Sequence, residues 1–225
     1  MNGLTLVLET STPHASLATV LPDGHLELRE FSSDRSHNAV LFSPLKEVLD
    51  ARGGLEIGLV IVGSGPGSYS GTRVGIAAAQ GVAIASSCPA VALPSILAVP
   101  SAEGGAPCLA IGDARRGSFW TAKVENFHML AEPELTDAAG LEEIIRNSVT
   151  EGVSVFSFED PKRFPLPDEL ASQVKLEFPN AARLWDAWLA ADDETRTKWA
   201  AAIPQPMYLK PPHITPAKRS WLVQP

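Results

Sequence analysis

The sequence predicts a mixed α/β protein with one compact lobe followed by a smaller second lobe. Three observations carry this. Strand-like and helix-like stretches alternate through roughly the first hundred residues. A small, flexible stretch, PSAEGGAP from Pro100 to Pro107, then interrupts them. After it the order strand, turn, strand, helix begins again.

The first lobe opens with LTLVLETSTPHASLATVLPDGHLELREF, which contains three strand-like stretches, and LPDG between the second and third is a turn with Pro second and Gly fourth. SHNAVLFSPLKEVLDARGG follows with Ala39, Val40, Leu41, Leu45, Val48 and Leu49 at helical spacing; Gly53 is a C-terminal stop and Pro44 a point of kinking. Leu59 to Val62 form a short buried-strand run, Thr72 to Ser86 a second helix, and PAVALPS another strand. In the second half, CLAIGDARRGSFWTAKVENFHMLAEPEL reads as strand, turn, strand, TDAAGLEEIIRNS as a helix capped by Thr136 or Asp137, and VSVFSF as a strand. The chain then becomes Pro-rich, offers one convincing helix in NAARLWDAWLAA with Asn180 as cap, and closes on the extended PMYLKPPHITPAKRSWLVQP.

Composition narrows the function. With 225 residues, 45% hydrophobic and 20% charged, the chain can bury a sizeable core, and its apolar runs are too short to span a bilayer. The start, MNGLTLVLET, lacks a basic n-region and a small-residue cleavage site, so the expectation is a cytoplasmic protein with no membrane contact. Two cysteines, Cys88 and Cys108, cannot build a cysteine metal cage and read as small core residues. A net charge of -8 argues against broad nucleic-acid affinity but leaves room for a local basic patch.

VGSGPGSYSGTRVGIAAAQGVAIA, Val62 to Ala85, is a glycine-rich turn feeding a helix, an arrangement that often cradles phosphate. It fails the specific tests. Gly71 is followed by Thr72 and Arg73, so the Lys of a phosphate-binding loop is missing, and GxGxxG loses its third glycine to Ser68 or Ser70. Tyr69 occupies the place of a nucleophilic serine in GxSxG. Two readings remain: backbone amides holding an anion, or glycines allowing a tight turn and close approach to another surface. In the helix, Gly75, Ala78, Ala79, Val82 and Ala85 make a smooth face that suits close helix packing, against a partner or the lobe's own sheet.

LVLETSTPHASLATVLPDG, RSHNAVLFSPLKEVL, VGSGPGSYSGTRVGIAAAQGVA, DARRGSFWTA and PMYLK resemble, in order and spacing over residues 4 to 210, the TsaB (YeaZ) family, the dimerization subunit of the bacterial tRNA threonylcarbamoyladenosine machinery. GPGSYSGTRVG, close to the family's GPGSFTGxRxG, is the most specific stretch. The resemblance implies an actin/Hsp70/sugar-kinase fold of two duplicated ribonuclease H-like lobes, the second degenerate: residues 1–104 the dimerization lobe, 105–210 the smaller lobe and 211–225 a basic tail. It implies a non-catalytic role with no catalytic residues of its own, pairing with the catalytic paralogue TsaD, which modifies N6 of the adenosine 3′ of the tRNA anticodon. A TsaE-like ATPase completes the complex, the same surface forms a homodimer when the chain is alone, and tRNA is met indirectly. The expected partner surface comprises Arg35, His37, Gly71, Arg73, Gly75, Ala78, Ala79 and Val82. No cofactor is expected, with ATP or ADP at the partner seam as the alternative.

Catalytic paralogues carry an HxxxH metal pair just after the strand that follows the second helix. Here that place is VALPSILAV, with no His, Asp or Glu from Leu93 to Val99, and His14, His25, His37, His128 and His213 are scattered with no i, i+4 pair. No metal site is expected. The family's DTS is here Glu9-Thr10-Ser11, and a weak nucleotide or anion site would use Glu9, Thr10, Ser11, Gly65, Gly67 and Ser68. Asp113 and Arg115 in DARRG read as a turn with a surface ion pair. Lys210, Lys218, Arg219 and Trp221 in the tail could touch RNA, or belong to a tail pinned to the lobe or simply disordered. The rival reading is an enzyme of the same fold, a nucleotide-dependent kinase or ATPase, or a peptidase.

Overall fold

The computed structural model describes residues 3–32 and 37–210; Arg35, the side chain of His37, and His213, Lys218, Arg219 and Trp221 lie outside the described residues. The first sheet is built from β1 (Leu4–Glu9), β2 (His14–Val20), β3 (Leu26–Ser32), β4 (Ile57–Gly63) and β5 (Ala90–Leu93), in the order β3-β2-β1-β4-β5. β1, β2 and β3 form an antiparallel meander, while β4 and β5 run parallel to β1. The parallel strands need crossovers, supplied by α1 (His37–Ala51) and α2 (Tyr69–Ser86).

Every residue of β1 is buried, as a central strand covered on both faces must be. Its alternation assigns the faces: Leu4, Leu6 and Leu8 pack with Leu41, Leu45 and Val48 of α1 and Ile76, Ala79 and Val82 of α2, and Val7 enters the opposite core. That opposite core is shared with the second sheet, made of β6 (Cys108–Asp113), β7 (Phe119–Glu125), β8 (His128–Met129), β9 (Glu134–Thr136), β10 (Ser154–Ser157) and β11 (Val174–Leu176). Its order is β11-β10-β6-β7-β8, with β9 also on β7.

The short α3 (Pro100–Glu103) ends the first half; between the sheets lies α6 (Ala181–Ala190), burying Leu184, Trp185 and Trp188, and α4 (Ala138–Thr150) covers the far face of the second sheet through Leu141 and Ile145. The layers are therefore α1 and α2, sheet, α6, sheet, α4. α6 is encoded in the second half but anchored to the first: Ala181 N–H donates to Ser16 Oγ at 2.8 Å and Asn180 N–H to the Ala98 carbonyl at 3.2 Å. α7 (Asp193–Ala201) packs on β5, so a division at residue 104 separates the sheets but not the helices.

Capping chemistry sets the helix boundaries. α2 begins at Tyr69, three residues ahead of the Thr72 that apolar spacing suggests, because Ser68 Oγ accepts the Gly71 N–H at 3.2 Å. Asp137 rather than Thr136 caps α4, and Asn180 caps α6. Pro44 lies inside α1 without ending it. α7 has no counterpart in the apolar pattern: it buries no residue fully, and is set by its Asp192 cap and by Trp199 stacking on Trp188 at 6.3 Å. Among the described residues, no helix is long and apolar enough to cross a membrane.

Candidate functional site

The glycine turn after β4 closes over the turn after β1, and the contact is made backbone to backbone. Ser68 N–H donates to the Ser11 carbonyl at 2.6 Å, and Thr10 Oγ1 donates to the Gly71 carbonyl at 2.8 Å. A Cβ on Gly67 would lie 3.0 Å from the Ser11 carbonyl carbon and closer still to its oxygen. A Cβ on Gly75 would occupy the place of Thr10 Oγ1. Glycine is therefore required here for close approach, the second of the two readings of the motif.

The same turn is tied to the segment after β5. Gly65 N–H donates to Ser95 Oγ at 3.0 Å, Ser95 N–H to the Gly65 carbonyl at 2.7 Å, and Ser64 N–H and Oγ both to the Leu93 carbonyl. The amides of Gly65, Ser68 and Gly71 are thus all occupied by the chain's own acceptors. Leu93 to Val99, where a metal pair would stand, is β5 and a short 3-10 turn in the core.

Glu9 ends β1 fully buried beneath this junction. Its Oε1 accepts Ser11 N–H at 2.7 Å, while Oε2 and the nearby Ser11 Oγ have no hydrogen-bond partner. A Cβ on Gly63 would fall 2.6 Å from Ser95 Oγ and overlap the Glu9 carboxyl, so β4 needs glycine where it passes this acid. Desolvation pushes the Glu9 pKa up, and the hydrogen bond from Ser11 N–H only partly opposes it. Burial thus shifts Glu9 toward its protonated form. The fold does bring Glu9, Thr10, Ser11, Gly65, Gly67 and Ser68 together, as an interlocked joint around a buried carboxyl.

The structure corrects the expected partner face. Gly71, Gly75, Ala78, Ala79 and Val82 are buried against the lobe's own sheet and α1, because a helix lying on a sheet approaches most closely through its smallest side chains. Of that set, Arg73 is exposed, stacked on Tyr69 with its guanidinium carbon 3.7 Å from the ring centroid. The outward face of α2 is Tyr69, Arg73, Ala77, Gly81 and Ile84, and Ile84 is 80% exposed. α1 adds Phe42, 54% exposed. Sequence reasoning passed over these apolar residues, yet Tyr69, Arg73, Ala77 and Ile84 follow one helical stripe opposite the small residues.

In the second lobe Asp113 and Arg115 form an ion pair at 3.0 Å at the end of β6, and Asp113 Oδ1 also accepts Arg115 N–H at 2.6 Å. Among the described residues no three His, Cys, Asp or Glu side chains come together as a metal group would require.

Fold and site together define an α/β protein of two sheets whose glycine turn is closed on the chain's own acceptors. Residues 32–196 match the family described as TsaD, tRNA N6-adenosine threonylcarbamoyltransferase, and the chain belongs to that family, in its TsaB (YeaZ) branch. It is 26% identical over 147 residues to the tRNA threonylcarbamoyladenosine biosynthesis protein TsaB of Escherichia coli, across 62% of this chain and 63% of that protein. It is 32% identical over 106 residues to the TsaB of Haemophilus influenzae, across 45% of this chain and 44% of that one. The matches thus span less than two thirds of these curated relatives. Two Pseudomonas aeruginosa structures, one called YeaZ and one described as similar to peptidase YEAZ, superpose with TM-scores of 0.64 and 0.66 at 21% and 20% identity, over 92% of this chain and all of theirs.

Proposed function

We propose that this chain is a non-catalytic partner subunit in threonylcarbamoylation of N6 of the tRNA adenosine 3′ of the anticodon. It binds and supports a TsaD-like catalytic paralogue through the outward faces of α1 and α2. The observation that carries the reading is the exposure of Phe42 on α1 and Ile84 on α2, large apolar side chains left uncovered while Ala78, Ala79 and Val82 pack inward. The occupied amides of the glycine turn and the buried Glu9 beneath it fit a subunit that leaves the chemistry to its partner. The chain alone pairs with a second copy through the same face, a TsaE-like ATPase joins the complex, and any ATP or ADP sits at the seam between subunits rather than in this chain's own turn.

The test is capture of the TsaD-like paralogue by the purified chain. Ile84→Asp and Phe42→Asp should each weaken capture roughly 30-fold, the effect of losing one interface hot spot, with thermal stability unchanged because both side chains already face water. Ala78→Arg is unsuitable, since it would put a charge into the lobe's own core. Capture that survives both substitutions would move the interface elsewhere. ATP turnover or peptidase activity by the chain alone, abolished by Glu9→Ala, would replace the reading with an enzyme.

A further inference from the structure

Across the edge of the junction runs the segment Pro204–Lys210, held to the first lobe by Met207 N–H on the Ser64 carbonyl at 2.8 Å and by Gln80 Nε2 on the Pro204 carbonyl at 3.1 Å. It carries Tyr208, whose hydroxyl accepts from Arg73 Nη2 at 2.9 Å, so Arg73 is held by two tyrosines, Tyr69 at 68% and Tyr208 at 57% exposure. Two residues on, Lys210 Nζ donates to the Arg115 carbonyl at 3.1 Å and brings the segment against the turn between β6 and β7. In that turn Arg115, Arg116 and Gly117 have φ of 66°, 61° and 70°. The left-handed region costs a residue with a Cβ about 1 kcal/mol, so two adjacent arginines are held outward at a cost in local conformational energy.

This cluster gathers Arg73, Arg115, Arg116 and Lys210, all outside the core, on a chain of net charge -8. The acids in contact with it are Asp113, paired with Arg115, and Glu159, whose Oε1 accepts Asp113 N–H at 3.1 Å. Positive charge is in excess, and it alternates with exposed aromatic faces. Beyond Lys210 the sequence adds Lys218 and Arg219 and no acidic residue.

We infer that this cluster binds a single-stranded stretch of RNA, with phosphates on Arg73, Arg116 and Lys210 and bases stacked on the open faces of Tyr69 and Tyr208. Single-stranded nucleotides use both features, because every base offers a flat π face beside a charged phosphate. The inference rests on the proposed place of the chain in tRNA modification and gives it a direct contact with the nucleic acid.

The experiment is fluorescence anisotropy with the full-length chain and a labelled single-stranded RNA of roughly ten nucleotides, over a series of salt concentrations. Affinity should fall linearly with salt on logarithmic axes. Arg116→Gln and Lys210→Gln should each flatten that slope by about 0.7, and Tyr208→Ala should weaken binding roughly tenfold, all three melting at the wild-type temperature. Absence of binding at low salt, or a slope and affinity indifferent to all three changes, would overturn the inference. So would variants that bind RNA normally but lose the TsaD-like paralogue, which would assign the patch to a protein. Capture of the paralogue by wild-type chain that ignores RNA would leave the partner-subunit reading standing and remove only this one.

Discussion

The two sheets repeat one plan, a central strand with an antiparallel meander on one side and parallel strands on the other, and the turn after the central strand differs sharply between them. After β1, Glu9, Thr10, Ser11 and Thr12 are all buried. After β6, Asp113 is only half-buried and Arg115 and Arg116 stand in solvent. The cause lies one crossover away. In the first sheet α2, 18 residues long, folds its glycine turn over the β1 turn. In the second, the link from β10 to β11 holds only a 3-10 turn at Pro161–Arg163 and α5 (Asp168–Ala171), too short to cover anything comparable. The same place in two sheets of one plan thus becomes an enclosed joint or a solvated charge cluster according to its cover.

The sharpest way to break this contrast is to wedge the covered turn open. Gly67→Ala sets a methyl group against the Ser11 carbonyl, backbone against backbone, and removes the room needed for the Ser68–Ser11 hydrogen bond. Overpacking together with a lost buried bond should cost roughly 3 kcal/mol in urea unfolding. The uncovered turn supplies the control: Gly117 has φ of 70°, but a Cβ added there would meet nothing within 4 Å, so Gly117→Ala should cost only about 1 kcal/mol of backbone strain. Equal losses at both positions would mean that cover does not distinguish the turns.

This difference also marks what could be read from sequence. Strands β1 to β7 and β10, the two crossover helices and the caps at Asn180 and at Thr136 or Asp137 were legible because they are local: apolar period, turn residues and an oxygen three positions before an amide; the short β8, β9 and β11 were not. The reason for each glycine was not. Gly63 answers to Glu9 and Ser95, Gly67 to Ser11 and Gly75 to Thr10, all of them contacts between residues far apart in the chain. The buried sense of Ala78, Ala79 and Val82 was equally out of reach, since a stripe of small residues fits a sheet as well as a partner, and only α1 and β1 in place decide between them. α7 escaped for the opposite reason, its charged sequence giving no apolar period to read.

A milder probe asks whether the joint depends on a neutral Glu9. Because burial raises its folded-state pKa above the ordinary glutamate value of 4.5, the unfolded chain releases this proton first. Below the ordinary value both states are protonated and the full contribution is present; as pH rises from there through the raised folded value, stability is lost. One proton gives a slope of at most about 1.4 kcal/mol per pH unit. Glu9→Gln keeps the shape of the neutral acid and cannot ionise. It should therefore match wild type in acid and exceed it increasingly toward neutral pH. Parallel stability curves for the two proteins would show the carboxyl charged and compensated in place.

The smallest effect belongs to the open turn. Arg115→Gln removes the guanidinium from the Asp113 pair while leaving the backbone N–H that also serves that carboxylate. With Arg115 largely in water, such a pair contributes about 0.5 kcal/mol or less, and added salt should shrink the difference further as screening shortens the reach of the charges. The measurement is a chemical melt at low and high salt. A loss near ~2 kcal/mol, insensitive to salt, would mean that the Asp113 turn is as tightly enclosed as its counterpart at Glu9, and the distinction between the two lobes would have to rest on something other than cover.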